Sequence, residues 1–270
     1  MKTRLAAVAL ALTVGGITVA PAPVRAQAAA DSALAPTPPL DSLAPYVPHA
    51  GPLAGHSIHW YEPLAVIGGI GLLSTLDQPI ANRVRDGRSS TALSVANGWA
   101  RIGTPVVYGP LTLGLLAGGL ISHNSKVTHS GLRLAFSLAL AGAAYGGLNS
   151  TFGRERPNAN TNAFDFDPGH FDRAFPSGHT TMAFAMATSL ADDVHPTWAK
   201  IGLYGAATGV AVSRVYQEQH WFSDVVGGAV LGFASAKLVS GRWRLFGIQT
   251  PGFLMNSGRP ALGWHFNFHE

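Results

Sequence analysis

Cysteine is absent from the 270 residues, which excludes a disulfide framework and thiolate chemistry. Charge is scarce too. Charged side chains make up 12% of the chain against 47% hydrophobic, a balance suited to one domain with a large buried area. Lys and Arg number 18 and Asp and Glu 14, but Lys2, Arg4 and Arg25 fall in an N-terminal leader. Without them 15 basic residues face 14 acidic ones, a net charge of +1 that gives no electrostatic basis for nucleic-acid binding.

The leader begins Met1-Lys2-Thr3-Arg4, continues apolar from Leu5 to Ala20 and carries small residues at Val24, Ala26 and Ala28. This arrangement predicts a signal peptide over residues 1–26, cleaved after Ala26 or Ala28, and hence export. Pro21 and Pro23 interrupt the segment, which argues against an uncleaved first membrane helix. Residues 27–55 are rich in alanine and proline and read as a flexible spacer. Residues 56–245 form the main domain, and 246–270 a tail. There Asn256-Ser257-Gly258 marks a turn, and Leu262, Trp264, Phe266 and Phe268 alternate, predicting a short strand or hairpin.

Within the domain, helix-length apolar stretches run over Glu62–Ser74, Pro105–Ile121, Leu132–Leu148, His179–Ala191, Ala199–Ser213 and Asp224–Ser240. An all-α, six-helix bundle is the expectation. A bilayer core takes about 20 apolar residues per crossing, and several of these stretches are at or below that length. Leu111–Leu120 and Val225–Phe233 carry no charge and many glycines, which suits close helix packing in lipid. The membrane reading is preferred, with a compact helical domain outside the membrane as the alternative.

Three polar blocks interrupt the apolar pattern: Arg154-Glu155-Arg156-Pro157, Pro176-Ser177-Gly178-His179, and Ser213-Arg214 followed by His220 and Asp224. Two arginines can fork onto phosphate oxygens. A Ser-Gly pair at a helix start offers a hydroxyl and backbone N–H groups, and two histidines can serve as nucleophile and acid. If consecutive helices alternate in direction, all three blocks fall at one end of the bundle. The loop with Asp192, Asp193 and His195 then lies at the other end and reads as a solvated connection.

These blocks resemble the type 2 phosphatidic acid phosphatase superfamily, which also contains bacterial acid phosphatases and vanadium haloperoxidases. The family pattern is Lys-x6-Arg-Pro, then Pro-Ser-Gly-His, then Ser-Arg-x5-His-x3-Asp. The second and third blocks match in full, whereas the first reads Asn149-x6-Arg156-Pro157, with asparagine in the lysine position.

The resemblance, with the chemistry, implies a role for each residue. His220 is the nucleophile, forming a phosphohistidine. Asp224, one helical turn on, accepts the other ring N–H and fixes the tautomer. His179 is the general acid and later the base. Ser177 and Gly178 hold phosphate oxygens at a helix start, although Ser177 is also a good N-cap. Arg156 and Arg214 clamp the equatorial oxygens. Arg154 is either a third phosphate contact or an outer residue paired with Glu155 or a nearby acid. If Asn149 faces the phosphate with its neutral amide, Asn149→Lys is expected to raise kcat/KM by roughly 10-fold. If Arg154 has taken over that corner, only Asn149→Lys combined with Arg154→Ala is expected to do so.

Trp60, Tyr61, Trp221 and Phe222 suit a membrane interface or the rim of an apolar cleft. Asp165, Asp167, His170 and Asp172 read as a solvated entry loop, with no defensible metal-ligand spacing. The expected protein is an exported phosphatase without metal or cofactor. It acts on a lipid phosphate monoester or diphosphate at the non-cytoplasmic face of a cell-envelope membrane. A soluble periplasmic acid phosphatase, a lipid phosphotransferase, a vanadium haloperoxidase and a catalytically weakened membrane relative are the alternatives.

Overall fold

The computed structural model describes residues 55–159, 162–170, 173–245, 252–256 and 259–263. The predicted signal peptide and almost all of the spacer lie outside the described residues, as does Asp172.

Eight α-helices are present among the described residues: α1 (Tyr61–Leu73), α2 (Asp77–Asp86), α3 (Ser90–Ala100), α4 (Pro105–Ile121), α5 (Ser125–Phe152), α6 (Gly178–Ala191), α7 (Thr197–Tyr216) and α8 (Phe222–Val239). All six expected helices are among them. The additions, α2 and α3, are short, at 10 and 11 residues, and α2 is rich in charge, so a search for long apolar stretches passes over them. A 3-10 turn at Ser74–Leu76 runs α1 into α2, and another at Arg101–Gly103 joins α3 to α4.

Local chemistry sets several helix ends. Asn124 caps α5 by accepting from the N–H groups of Lys126 and Val127, and Ser89 caps α3 through Ala92. Helix α5 extends beyond the expected Leu132–Leu148 at both ends and stops at Gly153, whose φ of 58° is left-handed. Only glycine fits there, because a Cβ would lie 1.9 Å from the Asp167 carbonyl oxygen.

Strand β1 (His56–Ile58) pairs in parallel with β2 (Trp243–Leu245), joining the two ends of the helical domain. Strands β3 (Gly252–Asn256) and β4 (Arg259–Gly263) pair antiparallel, while Ser257, Gly258, Trp264, Phe266 and Phe268 of the predicted turn and strand lie outside the described residues.

The bundle is organised around α6, whose residues are mostly buried. Leu134, Leu138 and Ala141 of α5 pack on Ala185 and Met186 on one side. On another, Ala183 and Ala187 meet Ala207 and Val210 of α7. Helix α8 approaches α6 through glycines: a Cβ at Gly228 would lie 2.6 Å from the Ser177 carbonyl oxygen, and one at Gly232 would lie 2.2 Å from that of Thr181. This close approach brings the starts of α6 and α8 together.

Four helical segments are long and apolar enough to cross a membrane: Tyr61–Asp86, Ser90–Ile121, Ser125–Phe152 and Phe222–Val239. Helices α6 and α7 fall outside that set. Large apolar side chains such as Leu64, Ile67, Leu72, Val106, Leu113 and Ile121 are exposed on the outside of the bundle.

Candidate active site

The three polar blocks meet at one end of the bundle. Arg156 follows α5, Ser177 immediately precedes α6, Gly178 and His179 open it, Arg214 lies in the last turn of α7, and His220 sits in the short link to α8. Cross-links between the blocks are direct. The Ser177 N–H donates to the Asp224 carbonyl at 3.0 Å, and Arg156 donates to Gln219 Oε1 at 3.1 Å. Arg214 donates to Gln217 Oε1 at 2.6 Å, and Gln217 in turn donates to Asn97 of α3 at 2.6 Å.

His220 is buried, with its Nδ1 2.7 Å from the backbone carbonyl of Ala174. A carbonyl only accepts, so Nδ1 carries the proton and Nε2 keeps its lone pair. Burial holds the His220 pKa well below the ordinary 6.5, and the positive charge of Arg214 adds to this, with smaller contributions from Arg156 and His179. The ring is therefore neutral at neutral pH, the state that a nucleophile requires.

Asp224 departs from its expected role, since Ala174 occupies the place on His220 that the four-residue spacing assigns to the carboxylate. Asp224 Oδ2 instead accepts the Trp221 N–H at 2.7 Å, and Oδ1 accepts from Arg154 at 2.7 Å. Asp224 is thus a first-turn acid that caps α8. The side chain of a turn residue reaches its own helix start more readily than a ring projecting from the preceding loop.

Arg154, expected either as a phosphate contact or as a partner of a nearby acid, takes the second role. It is buried and stacked between the rings of Phe166 and Trp221, each 5.5 Å from its guanidinium. Its Nε and Nη2 donate to the Ala163 carbonyl, Nη1 to Ser223 Oγ and Asp224 Oδ1, and Nη2 also to Asp77 Oδ2, at 2.5–2.9 Å. All five N–H groups are used, which leaves none for a phosphate.

Asn149 is also turned inward. It is buried in the last turn of α5, with its amide bonded to backbone groups of Arg173 and Phe175. Ser177 is fully buried, and its hydroxyl accepts from Thr180 Oγ1 at 3.0 Å. The capping bond that a serine at this position usually makes is not formed. Gly178 packs beneath the Tyr145 ring, 3.0 Å from where a Cβ would be.

Asp77 is the main residue that the sequence reading missed. Fully buried at the start of α2, it accepts from the Ser223 N–H at 2.8 Å and from Ser223 Oγ at 2.6 Å, besides Arg154. One signal was available, because Asp77 is the sole acid between Glu62 and Asp86. Glu218, two residues before His220, is buried and accepts from Arg85 at 2.8 Å and Arg88 at 2.5 Å. That pair of bonds ties the α2–α3 connection to the loop that carries His220.

Trp221 is core rather than rim, packed with Ala81, Ala163 and Ala174 and donating to the Glu155 carbonyl at 2.8 Å. Phe222 lines an apolar groove of about 400 Å³ bounded by Ile80 and Val84 of α2, Val212 and Val215 of α7 and Val225 of α8. In the predicted entry loop, Asp167 pairs with His170 and Arg173. No group of three His, Asp or Glu side chains is placed to hold a metal ion among the described residues.

A family pattern described as the PAP2 superfamily matches residues 130–248, a stretch that contains all three blocks. Over that stretch the chain is similar to the PAP2 superfamily. The lipid A 1-phosphatase of Porphyromonas gingivalis is 33% identical over 111 residues, 40% of this chain and 22% of that protein. A protein of Escherichia coli K12 named "Putative undecaprenyl-diphosphatase YbjG" is 29% identical over 132 residues, 48% of this chain and 63% of its own length. The chain thus spans less than two thirds of either curated relative. Among solved structures, a transmembrane PAP2-type phosphatidylglycerolphosphate phosphatase from Bacillus subtilis superposes with a TM-score of 0.55 at 22% identity. The match covers 67% of this chain and 95% of that one, and it shows a shared fold.

Proposed function

We propose that the protein is a membrane phosphatase that hydrolyses a phosphate ester or diphosphate of a lipid through a phosphohistidine on His220. The observation that carries this reading is the state of His220: a buried, neutral ring whose Nδ1–H is bonded to the Ala174 carbonyl, leaving Nε2 with its lone pair.

In the first step Nε2 attacks phosphorus, the N–P bond forms and the bond to the lipid oxygen breaks as His179 protonates that oxygen. In the second, His179 takes a proton from water, the resulting hydroxide attacks phosphorus, and the N–P bond breaks to release phosphate. Arg156 and Arg214 neutralise the phosphoryl oxygens, with the Ser177–Gly178 backbone at the start of α6. This donor set neutralises the phosphate without calling on a metal cation.

A lipid substrate is supported by the apolar groove beside Phe222, which can take a hydrocarbon chain next to the polar site. It is also supported by the four apolar helical segments and by the names of both curated relatives, which refer to phosphorylated lipids. We place the site at the non-cytoplasmic face, on the strength of the export signal read in the leader.

The test is phosphate release from phosphatidic acid, an isoprenyl diphosphate, a lipid A phosphate and a soluble aryl phosphate, with and without chelator. Wild-type protein is expected to favour a lipid and to tolerate chelator, and His220→Ala to lose at least ~10³-fold in kcat. A His220→Ala variant that keeps a tenth of the rate removes His220 as nucleophile. Loss of activity in chelator, restored by magnesium or zinc, overturns the metal-free mechanism.

A further inference from the structure

Asn149 stands where the family pattern has lysine, yet it is 1% exposed and both halves of its amide are committed. Its Nδ2 donates to the carbonyls of Arg173 at 2.9 Å and Phe175 at 3.1 Å, and its Oδ1 accepts the Arg173 N–H at 3.1 Å. These bonds fall on either side of Ala174, whose own N–H donates to the Arg154 carbonyl at 2.7 Å. The peptide plane between Arg173 and Ala174 is therefore held at both its oxygen and its N–H. The carbonyl of Phe175 is held as well. Because each peptide unit is rigid and planar, the one plane left between these anchors has little freedom to turn. Its oxygen is the Ala174 carbonyl that receives the His220 Nδ1 proton at 2.7 Å.

We infer that Asn149 is a positioning residue for the nucleophile: it fixes the Arg173–Phe175 segment so that the Ala174 carbonyl keeps the ring proton on Nδ1 and Nε2 ready to attack phosphorus. This inference rests on His220 being the nucleophile. It replaces the expected phosphate contact at Asn149 with a tautomer lock. A lysine at 149 supplies donors only, so the Arg173 N–H loses its acceptor and a charge enters a buried position. Asn149→Lys therefore lowers activity, the opposite of the gain expected from the sequence pattern.

Two measurements on the full-length protein test this. The first needs no change at Asn149. In protein labelled with 15N-histidine, the His220 resonances, identified by their loss in His220→Gln, should report an Nδ1-protonated ring. A predominantly Nε2-protonated ring, or an even mixture, overturns the inference. The second is kinetic. Asn149→Ala and Asn149→Lys should lower kcat for a soluble aryl phosphate at least ~10-fold while leaving the inhibition constant of inorganic phosphate within ~3-fold. Parallel losses in kcat/KM and in phosphate binding mark a phosphate contact and overturn the inference, as does an Asn149→Lys variant at or above the wild-type rate. If neither variant folds, the ring tautomer in the wild-type protein decides. His220→Gln that retains turnover sinks the nucleophile reading and this inference with it. An inactive His220→Gln beside a fully active Asn149→Ala sinks this inference alone.

Discussion

Where α5 finishes and α6 and α8 begin, Arg154 meets Asp77 and Asp224, with all three side chains at 3% exposure or less and every guanidinium donor matched. Where α5 begins and α6 and α8 finish, Arg133 meets Asp193, and Lys237 and Arg242 meet Asp192. There Arg133 and Asp193 are each more than a quarter exposed, and Arg133 Nε, Asp193 Oδ2 and His129 Nε2 have no hydrogen-bond partner among the described residues. Both ends hold opposite charges in contact, but within the Arg154, Asp77 and Asp224 set every donor and acceptor is matched. A buried ion set is tolerable only when hydrogen bonds satisfy each member, and such a set then has one geometry. At the far end the partly exposed Arg133–Asp193 pair has the character of a surface ion pair, whose contribution to stability is small, whereas Lys237 and Asp192 are nearly buried. The fully matched ion set thus lies at the end that carries His179, His220, Arg156 and Arg214.

The sharpest way to break this contrast is Arg154→Met, which leaves two buried carboxylates without their shared cation. The expected cost is ~3–5 kcal/mol, read as a large drop in thermal unfolding temperature together with loss of activity. A variant as stable as the wild type would show that Arg154 does not organise the site. Next comes Gly228→Ala. The added methyl group lies 2.6 Å from the Ser177 carbonyl oxygen, so the starts of α6 and α8 must separate, at ~1–3 kcal/mol. Activity should fall further than this loss of stability accounts for, because Ser177 and Asp224 are joined across the same contact.

Acid sharpens the contrast through His220. Its folded pKa lies well below 6.5, mainly because of burial and then because of Arg214, whereas in the unfolded chain it titrates near ~6.5. Below that pH the unfolded state binds more protons, so stability falls as pH drops through ~6.5 and keeps falling until the folded pKa is reached. Unfolding temperatures measured from pH 8 to pH 5 should therefore decline more steeply for wild type than for His220→Gln. Parallel curves would contradict the buried neutral ring. The smallest effect is at the other end of the bundle, where Arg133→Ala should cost no more than ~1 kcal/mol and leave kcat/KM unchanged. A tenfold fall in kcat/KM would mean that the two ends are coupled.

Trp221 and Arg154 illustrate what stayed hidden in the sequence. An aromatic residue beside a catalytic segment reads equally well as rim or as core, and an arginine beside Arg156 reads equally well as ligand or as scaffold. Burial decides both cases, through contacts with Ala81, Ala163 and Asp77, which lie far away along the chain. Helices α2 and α3 escaped for a related reason, since both are short and are held in part by distant polar contacts such as Arg85 with Glu218 and Asn97 with Gln217.

What the sequence determined by itself was set by local properties. The apolar lengths specified the six main helices, and the spacing of Arg156, Ser177, His179, Arg214 and His220 along alternating helices specified that these residues meet at one end. Tertiary structure alone decided which partner each buried polar group received. Asp224 went to Arg154 and to its own helix start, Asn149 went to the backbone around Ala174, and the proton of His220 went to a carbonyl that belongs to an alanine. Backbone carbonyls are chemically alike at every residue, so no side-chain pattern marks the one that a fold will turn toward a ring nitrogen.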